Sequence, residues 1–480
     1  MEGQTENRQR VREALSANIN KWVIPWLQKF VEVPNTSRNF DPAWATNGLL
    51  EQACQVCLDY GTAIAVKGYS TAMHKPEGAQ TPLVFGRVEA TRPNARKIMV
   101  YGHLDKQPHM TEKWSEGLGP CLPVIKNGKL YGRGAADDGY NFFTILAILK
   151  TLQELDIPHD EYILFYECDE ESCSIDIPFY LDKFKDTIGS PDVLFCLDSG
   201  SVSCQVLGIT TALRGCITVD FSVKVLKTGI HSGLGSGLVP STFRIARKLL
   251  DRLEDSETGK LIDGLQVSIP QDKMEQAVIG TKILGEKFWQ VYPFLEGVKP
   301  VSDDCMEAYL NTVWRSQLEV IGQSGIPNSQ ECGNVLRDET LLRLSIRLAP
   351  TLISSEAFKI VKELLEKDPP YDAHVKVTMI DDGDGWNSNP FPEVVTQLLH
   401  KNALEVFQTP ALMFGGGGSI PFIKVLQDHL PKTLLFVSGI VLPDSAIHCP
   451  DECLHLEFLE KFTHSMVGFL MDYAHVPISN

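Results

Sequence analysis

Histidine and carboxylate side chains follow short apolar runs at several points in this chain of 480 residues. The run 97–101 has the composition of a buried strand. Gly102 ends it, and His103 and Asp105 come directly after. Open α/β folds form their sites at such carboxyl ends of strands. A histidine and a carboxylate at this position indicate metal binding, whereas a surface His beside an Asp is the ordinary interpretation of the motif on its own.

The same kind of position recurs along the chain. Acidic and histidine residues at strand ends or in glycine-flanked loops are His103, Asp105, Asp137, Glu170, Glu171, Asp198 and His448. Buried carboxylates in this number would repel one another unless cations neutralised them. Two histidines and three carboxylates, one of them bridging, are a typical ligand set for a hydrolase with two metal ions. Because Glu170 and Glu171 are adjacent, one can bind a metal while the other faces the attacking water.

The elements that must carry these residues alternate between strands and helices, which is typical of α/β architecture. Predicted helices cover 7–33, 47–66 and 141–155, and predicted strands cover 82–88, 97–101, 161–166 and 192–197. After Arg214 the segments 218–225 and 341–348 alternate apolar and polar residues, as antiparallel strands with one solvated face do. The α/β pattern resumes near residue 391. We therefore predict a catalytic domain formed by residues 1–212 and 385–480, interrupted by an α+β domain at 213–384.

Composition limits the classes of function. The net charge of −17 argues against nucleic acid or an anionic membrane surface as a partner. Residues 1–7 are polar with no apolar segment behind them, and no apolar run is long enough to span a bilayer. The 12 cysteines are scattered, as free thiols in a reducing compartment are. These features predict a cytoplasmic protein.

The motifs, taken in order, resemble the M20 family of metallopeptidases. They are G-H-L-D (102–105), G-R-G-A-A-D-D (132–138), D-E-E-S (169–172), L-D-S-G (197–200), I-H-S-G (230–233), L-S-I-R-L (344–348), G-G-S-I-P (417–421) and A-I-H (446–448). The resemblance implies a zinc-exopeptidase-like α/β catalytic domain with an inserted lid or dimerisation domain, and a homodimer. It also implies two divalent metal ions, with Zn²⁺ expected and Mn²⁺ as the alternative.

The resemblance also implies a role for each metal ligand. By position, His103, Asp137 and Asp198 would bind one ion. Asp137, Glu171 and His448 would bind the other, so that Asp137 bridges the two ions.

Further roles follow from the same resemblance. Glu170 would be the general base, and Asp105 would fix the tautomer of His103. His231 would reach the partner subunit's active site and donate a hydrogen bond to the developing oxyanion. The substrate itself would be contacted by His231, Asn334, Arg347 and Ser419. Within this set, Arg347 would hold the C-terminal carboxylate through two hydrogen bonds.

Two departures from the dipeptidase branch of the family bear on substrate choice. Gly139 and Tyr140 stand where that branch has Lys-Gly, and Gly415 and Gly416 stand where it has Arg-Glu. The missing glutamate is the residue expected to hold a free substrate ammonium group.

The leading interpretation is a metal-dependent exopeptidase that hydrolyses dipeptides or short peptides through a water bridging two metals. A carboxypeptidase or N-acyl-amino-acid hydrolase of the same family is the alternative that Gly416 favours. The third interpretation is a non-catalytic relative that only binds ligands. The intact metal-ligand and base positions weigh against it.

Overall fold

The computed structural model describes residues 2–477 and divides into two compact units. The first comprises Met1–Thr210, Asn389–Met413 and Val425–Asn480. The second comprises Thr211–Ser388 and Phe414–Lys424. The second unit therefore includes a short segment, 414–424, that the sequence pattern assigned to the C-terminal part of the catalytic domain.

The first unit is built on a mixed β-sheet. Its strands lie in the order Tyr69–His74, Leu83–Val88, Glu161–Glu167, Lys97–His103, Val193–Cys196, Leu434–Val437 and Gly208–Leu213. The four consecutive strands from Glu161–Glu167 to Leu434–Val437 are parallel to one another. Their carboxyl ends therefore meet at one edge of the sheet, which is the edge that carries His103.

The central strands are apolar on both faces. Every residue from Ile98 to His103 is buried, and so is every residue from Tyr162 to Glu167. Because successive side chains point to opposite faces, this pattern requires that both faces of the sheet be covered. The predicted α/β class is confirmed.

The N-terminal amphipathic segment, predicted as one helix over 7–33, is helical throughout but changes its winding. It consists of Glu2–Asn18, a π-helical turn Ile19–Val23 and Ile24–Glu32. Its apolar positions are buried in the core of the first unit, as the spacing predicts. The other long helices of this unit are Leu49–Ile64, Tyr140–Glu154, Ile177–Ile188, Glu393–Phe407 and Leu456–Tyr473.

The second unit has an antiparallel sheet with the strand order Gln317–Ser324, Glu339–Leu348, Gly215–Lys224 and His374–Gly383. Strand Gly215–Lys224 alternates strictly between buried and partly exposed residues. Its buried side chains share a core with residues of the helices Thr242–Leu250 and Ser354–Glu366. Two further helices, Gln271–Leu284 and Cys305–Val313, were not expected from the sequence pattern.

Shorter elements complete both units. The strands are Val124–Lys126, Lys129–Tyr131, Ile230–His231, Val335–Leu336, Trp386–Asn387, Leu412–Gly416 and Cys453–His455. The short helices and turns are Arg38–Phe40, Trp44–Asn47, Thr111–Lys113, Glu170–Ser172, Ser232–Gly235, Asp263–Leu265, Lys287–Gln290, Pro370–Asp372 and Pro421–His429. Within residues 2–477, no helix has the length and apolar character needed to cross a membrane.

Candidate active site

His103 is the last residue of a central strand, and its side chain is fully buried. Its Nδ1 lies 3.1 Å from the backbone oxygen of Asp105 and 3.4 Å from a carboxylate oxygen of the same residue. Its Nε2 lies 3.1 Å from Asp137 and 3.7 Å from Asp198. When Nδ1–H donates to Asp105, the lone pair of Nε2 is directed toward the two other carboxylates, as in a metal-binding histidine.

Asp137 lies between two histidines. One of its carboxylate oxygens is 3.1 Å from Nε2 of His103, and the other is 2.9 Å from Nε2 of His448. His448 also approaches a carboxylate oxygen of Glu171 at 3.4 Å. The Asp137 side chain is buried, whereas half of the His448 side chain is exposed. A carboxylate that directs one oxygen to each of two separate histidine nitrogens has the arrangement of a bridging ligand.

The adjacent glutamates lie in the turn Glu170–Ser172, three residues after a central strand ends. Their backbone N–H groups both donate to the carboxylate of Asp105, at 3.2 Å from Glu170 and 3.0 Å from Glu171. The Glu171 carboxylate accepts a hydrogen bond from the side-chain amide of Gln107 at 2.5 Å. Asp105 therefore positions this turn as well as His103.

Potential ligand atoms gather in two sets whose members all lie within 4.8 Å of one another. One set is His103, Asp137 and Glu171, and the other is His103, Glu170 and Asp198. The two glutamates thus belong to different sets, and His448 adjoins the first set through Asp137 and Glu171. The seven predicted residues of the metal constellation lie together in the first unit, although Glu170, predicted as the base, lies as close to His103 as a ligand would.

The electrostatics of the cluster are those of buried anions. Burial, together with the charge of Asp198, raises the pKa of Glu170. Burial and Asp137 raise the pKa of Glu171 to about 8. Burial likewise raises the pKa of Asp198 to about 6, against the opposing effect of His103. Holding all these carboxylates in their charged form therefore requires additional positive charge.

The histidines supply part of that charge. Burial disfavours the charged form of His103, but Asp198 and the hydrogen-bonded Asp105 and Asp137 outweigh it and raise the pKa of His103. The hydrogen bond to Asp137 similarly outweighs burial and raises the pKa of His448 to about 9. In return, these hydrogen bonds hold the pKa of Asp137 below its usual range despite burial.

The donor set fits divalent metal ions. Imidazole nitrogens and carboxylate oxygens are ligands that zinc and manganese both accept. Among the ion pairs of residues 2–477, those of Asp137, Asp198 and Glu171 involve only histidines, with no lysine or arginine. Since no lysine or arginine among the described residues pairs with these carboxylates and the histidines supply only part of the positive charge, a divalent metal site is the arrangement that this chemistry supports.

Two residues that support the site, one buried and one partly buried, have no signal in the sequence. Glu452 accepts hydrogen bonds from Nη1 of Arg133 at 2.6 Å and from the backbone N–H of Gly134 at 3.0 Å. These contacts fix the loop that carries Asp137. Glu452 stands four residues after His448 and belongs to no recognisable motif, so only the fold could reveal it. The other residue missed is Gln107, which binds Glu171.

The predicted substrate-binding residues lie in the second unit, in two pairs. Nη1 of Arg347 donates to the hydroxyl of Ser419 at 2.9 Å. His231 is exposed and pairs with Val335 across a short two-stranded ladder. The backbone oxygen of Asn334 accepts the N–H of Ser232 at 2.8 Å, which places Asn334 beside His231.

The model of peptidase family M20/M25/M40 matches residues 99–472. This chain belongs to that family. The match includes all the residues of the metal cluster, together with Arg347, Ser419, His231 and Asn334.

Named relatives within this family include dipeptidases. Cysteinylglycine-S-conjugate dipeptidase of Corynebacterium striatum is 26% identical over 387 residues, covering 79% of this chain and 82% of that protein. Cys-Gly metallodipeptidase DUG1 of Saccharomyces cerevisiae is 24% identical over 419 residues, covering 84% of each. The structure of human carnosine dipeptidase 1 aligns with a TM-score of 0.76 and 20% identity, over 98% of this chain and 99% of that one. The last comparison shows a shared fold.

Proposed function

We propose that this protein is a metal-dependent dipeptidase that uses the cluster in its first unit. The observation that carries the proposal is the position of Asp137, whose two carboxylate oxygens face His103 and His448 at 3.1 and 2.9 Å. Such a carboxylate can hold two metal ions close together, as a two-metal hydrolase requires. The relatives named as dipeptidases within the same family support this substrate class.

The expected ligands are two overlapping sets. His103, Asp137 and Asp198 would hold one divalent ion, and Asp137, Glu171 and His448 the other. Zinc is the proposed metal and manganese the alternative. When bound, such ions polarise a carbonyl and make water more acidic.

Glu170 has the proposed role of general base. Its carboxylate would take the proton of the attacking water and then deliver it to the leaving amine, so one group serves both halves of the reaction. The contribution of such a positioned base is about 10²–10⁴ in rate. Asp105 contributes by fixing both the turn that carries Glu170 and the ring of His103.

Arg347 and Ser419 would orient the substrate. The guanidinium of Arg347 uses Nη1 for Ser419 and keeps further donors for the C-terminal carboxylate of a peptide. A clamp on this carboxylate restricts cleavage to a bond near the C-terminus and places the scissile carbonyl.

His231 has the proposed role of oxyanion donor in a homodimer. Its side chain is exposed, and its Nδ1 accepts the N–H of Gly233 at 3.1 Å, which leaves Nε2 to donate to a ligand. Asn334, adjacent to it, would contact the same substrate. The acidic net charge and the free cysteines support a cytoplasmic location.

A carboxypeptidase or N-acyl-amino-acid hydrolase is the second candidate. The observation that favours it is Gly416, at the position where a dipeptidase would carry the glutamate that binds the free ammonium group.

The deciding experiment compares each dipeptide with its N-acetylated form, using metal-loaded protein and the Glu170→Gln variant as a blank. Faster turnover of the free dipeptide is the expected result. Faster turnover of the acetylated form would favour the second candidate function, a carboxypeptidase or N-acyl-amino-acid hydrolase. If neither substrate were hydrolysed with metals bound, a ligand-binding relative without catalysis would be the better description.

A further inference from the structure

Two arginines lie on the same face of the sheet in the second unit. Arg214 directly precedes strand Gly215–Lys224, and Arg347 lies opposite Cys216 in the register of the neighbouring strand. Because side chains alternate along a strand, Arg214 shares a face with Cys216 and hence with Arg347. Two guanidinium groups are thus brought to one end of this face.

The hydrogen bonds of Arg214 go to neutral groups. Its Nε donates to the backbone oxygen of Gly417 at 2.9 Å, and its Nη1 donates to that of Asn311 at 3.4 Å. Arg347 donates to a hydroxyl. No ion pair among residues 2–477 that the structure gives involves either arginine with a carboxylate. Burial and the charge of Arg347 together lower the pKa of Arg214 to about 10, as expected of two cations without an anion between them.

Both arginines line a cavity of about 920 Å³ within the second unit. The other charged groups on its wall are two further cations, Arg315 and Lys260, and the carboxylates of Glu254, Glu307 and Glu319. Arg315 is paired with Glu307 at 2.6 Å, and Lys260 lies 3.4 Å from Asp263. Burial and the charge of Glu319 raise the pKa of Glu254, so these two carboxylates lie near one another. In the strand register Glu319 lies opposite Ser345, one diagonal step from Arg347.

The glycine run 415–418 forms the part of the second unit that Arg214 contacts. The N–H of Gly415 donates to the hydroxyl of Tyr309 at 2.8 Å. A Cβ at Gly417 would lie only 2.7 Å from the backbone oxygen of Thr312, so this position accepts no side chain without a shift. The neighbouring residue, Gly416, has no side chain and therefore places no carboxylate in this run. The charge beside this run is therefore the guanidinium of Arg214, which would attract a substrate carboxylate.

We propose that Arg214 binds a second carboxylate of the substrate, on the N-terminal side of the scissile bond, and that the preferred substrates are dipeptides with an acidic N-terminal residue. This inference rests on the proposed dipeptidase function and on Arg347 as the clamp for the C-terminal carboxylate. A planar guanidinium pairs with a carboxylate through two parallel hydrogen bonds. A neutral amide of the same shape would leave the Arg214 charge unpaired in the complex with the substrate.

The test is hydrolysis of Glu-Leu compared with Gln-Leu, which differ only in the charge of the N-terminal side chain. The metal-loaded protein is expected to favour Glu-Leu by about 10- to 100-fold in kcat/KM, the range for a hydrogen-bonded charge. Arg214→Gln is expected to abolish this preference, and Arg214→Lys to keep part of it. Equal kcat/KM values for the two dipeptides in the unsubstituted protein would overturn the inference and leave the dipeptidase function standing. No hydrolysis of either peptide would refute the proposed function itself.

A second pair of variants separates binding from structural support, because Arg214 also contacts the glycine run. Gly416→Glu is expected to reverse the preference toward Gln-Leu, whereas Gly416→Gln, of the same size, is expected to retain the preference for Glu-Leu. If Arg214→Gln lowered the kcat/KM of both dipeptides by the same factor, its role would be structural and the inference would fail.

Discussion

The carboxylate of Asp105 accepts the backbone N–H of Glu171 at 3.0 Å through one oxygen, and its other oxygen lies 3.4 Å from Nδ1 of His103. It thereby connects the end of one central strand to the turn that follows its neighbour. Because His103 and Glu171 both belong to the metal cluster, a single carboxylate fixes the relative positions of groups from two different elements.

We expect Asp105→Asn to weaken metal binding by about 10- to 100-fold, the usual effect of removing such a supporting contact. An amide retains only one oxygen, so either His103 or the turn at Glu171 loses its contact with this side chain. Competition with a chelator during metal titration measures the change. The exposed Asp263 offers a matched control, since Asp263→Asn leaves these contacts intact. An unchanged metal affinity in Asp105→Asn would refute the proposal that Asp105 positions His103 and Glu171 for metal binding.

Glu170→Gln is expected to retain both metals and lose about 10²–10⁴ in turnover, because the amide cannot accept the proton of the attacking water. Glu171→Gln provides the comparison, since loss of a ligand should lower the metal content. Metal analysis and initial rates on the same samples distinguish the two glutamates. Loss of metal in Glu170→Gln, with full binding in Glu171→Gln, would exchange their roles.

The elements that carry the cluster were predictable because their signals are local. The apolar run before His103 and the run before Glu170 each identify a buried strand, and both are observed as parallel neighbours. Neighbouring parallel strands present their carboxyl ends at one edge, so the convergence of these residues follows from the strand pattern.

The parts that were not predicted depend on contacts between distant residues or on weak patterns. Arg133 and Glu452 are 319 positions apart, and no spacing rule connects them. Helix Gln271–Leu284 buries Lys273, Ala277 and Gly280. A helix whose buried side is formed by such residues has no apolar stripe for a sequence pattern to detect.

The buried pair of Arg133 and Glu452 is expected to be essential to stability, since each side chain is only 1% exposed. Glu452→Ala should lower the free energy of unfolding by about 3–5 kcal/mol, because it leaves the Arg133 charge buried without an anionic partner. Urea unfolding of the metal-free protein measures this loss. Adding Arg133→Met to Glu452→Ala should recover part of the stability. A double variant that is less stable than Glu452→Ala alone would show that the unpaired charge of Arg133 is not the cause of the lost stability.

His231→Ala is expected to reduce turnover by about 10²–10³, the cost of one oxyanion donor, while metal content stays constant. If His231 acts in the partner's site, mixing this variant with Glu170→Gln creates one intact site in each mixed dimer. For random exchange of equal amounts, about a quarter of the full activity should return. Activity measured over time after mixing tests this, and a mixture no more active than its components would show that the site is not shared.

The contribution of Lys106 to the free energy of unfolding depends on pH and can be measured separately from catalysis. It is fully buried, and its Nζ donates to the backbone oxygens of Phe30 and Val33 at the end of helix Ile24–Glu32, at 2.8 and 2.7 Å. Burial lowers the pKa of Lys106 from 10.5 to about 7. Between pH 7 and pH 10.5, Lys106 is protonated in the unfolded chain and neutral in the folded chain. The free energy of unfolding therefore rises with pH over this range.

The prediction compares the protein with Lys106→Met by urea unfolding between pH 7 and pH 10. The unfolding free energy of the unsubstituted protein minus that of the variant should increase over this range by up to about 4 kcal/mol. This follows because each pKa unit corresponds to about 1.36 kcal/mol. Lys126→Met, at an exposed strand position, is the matched control and should give a constant difference. A Lys106→Met difference that stayed level or decreased with pH would mean that Lys106 remains charged in the folded protein, held by the carbonyl groups at the end of the helix.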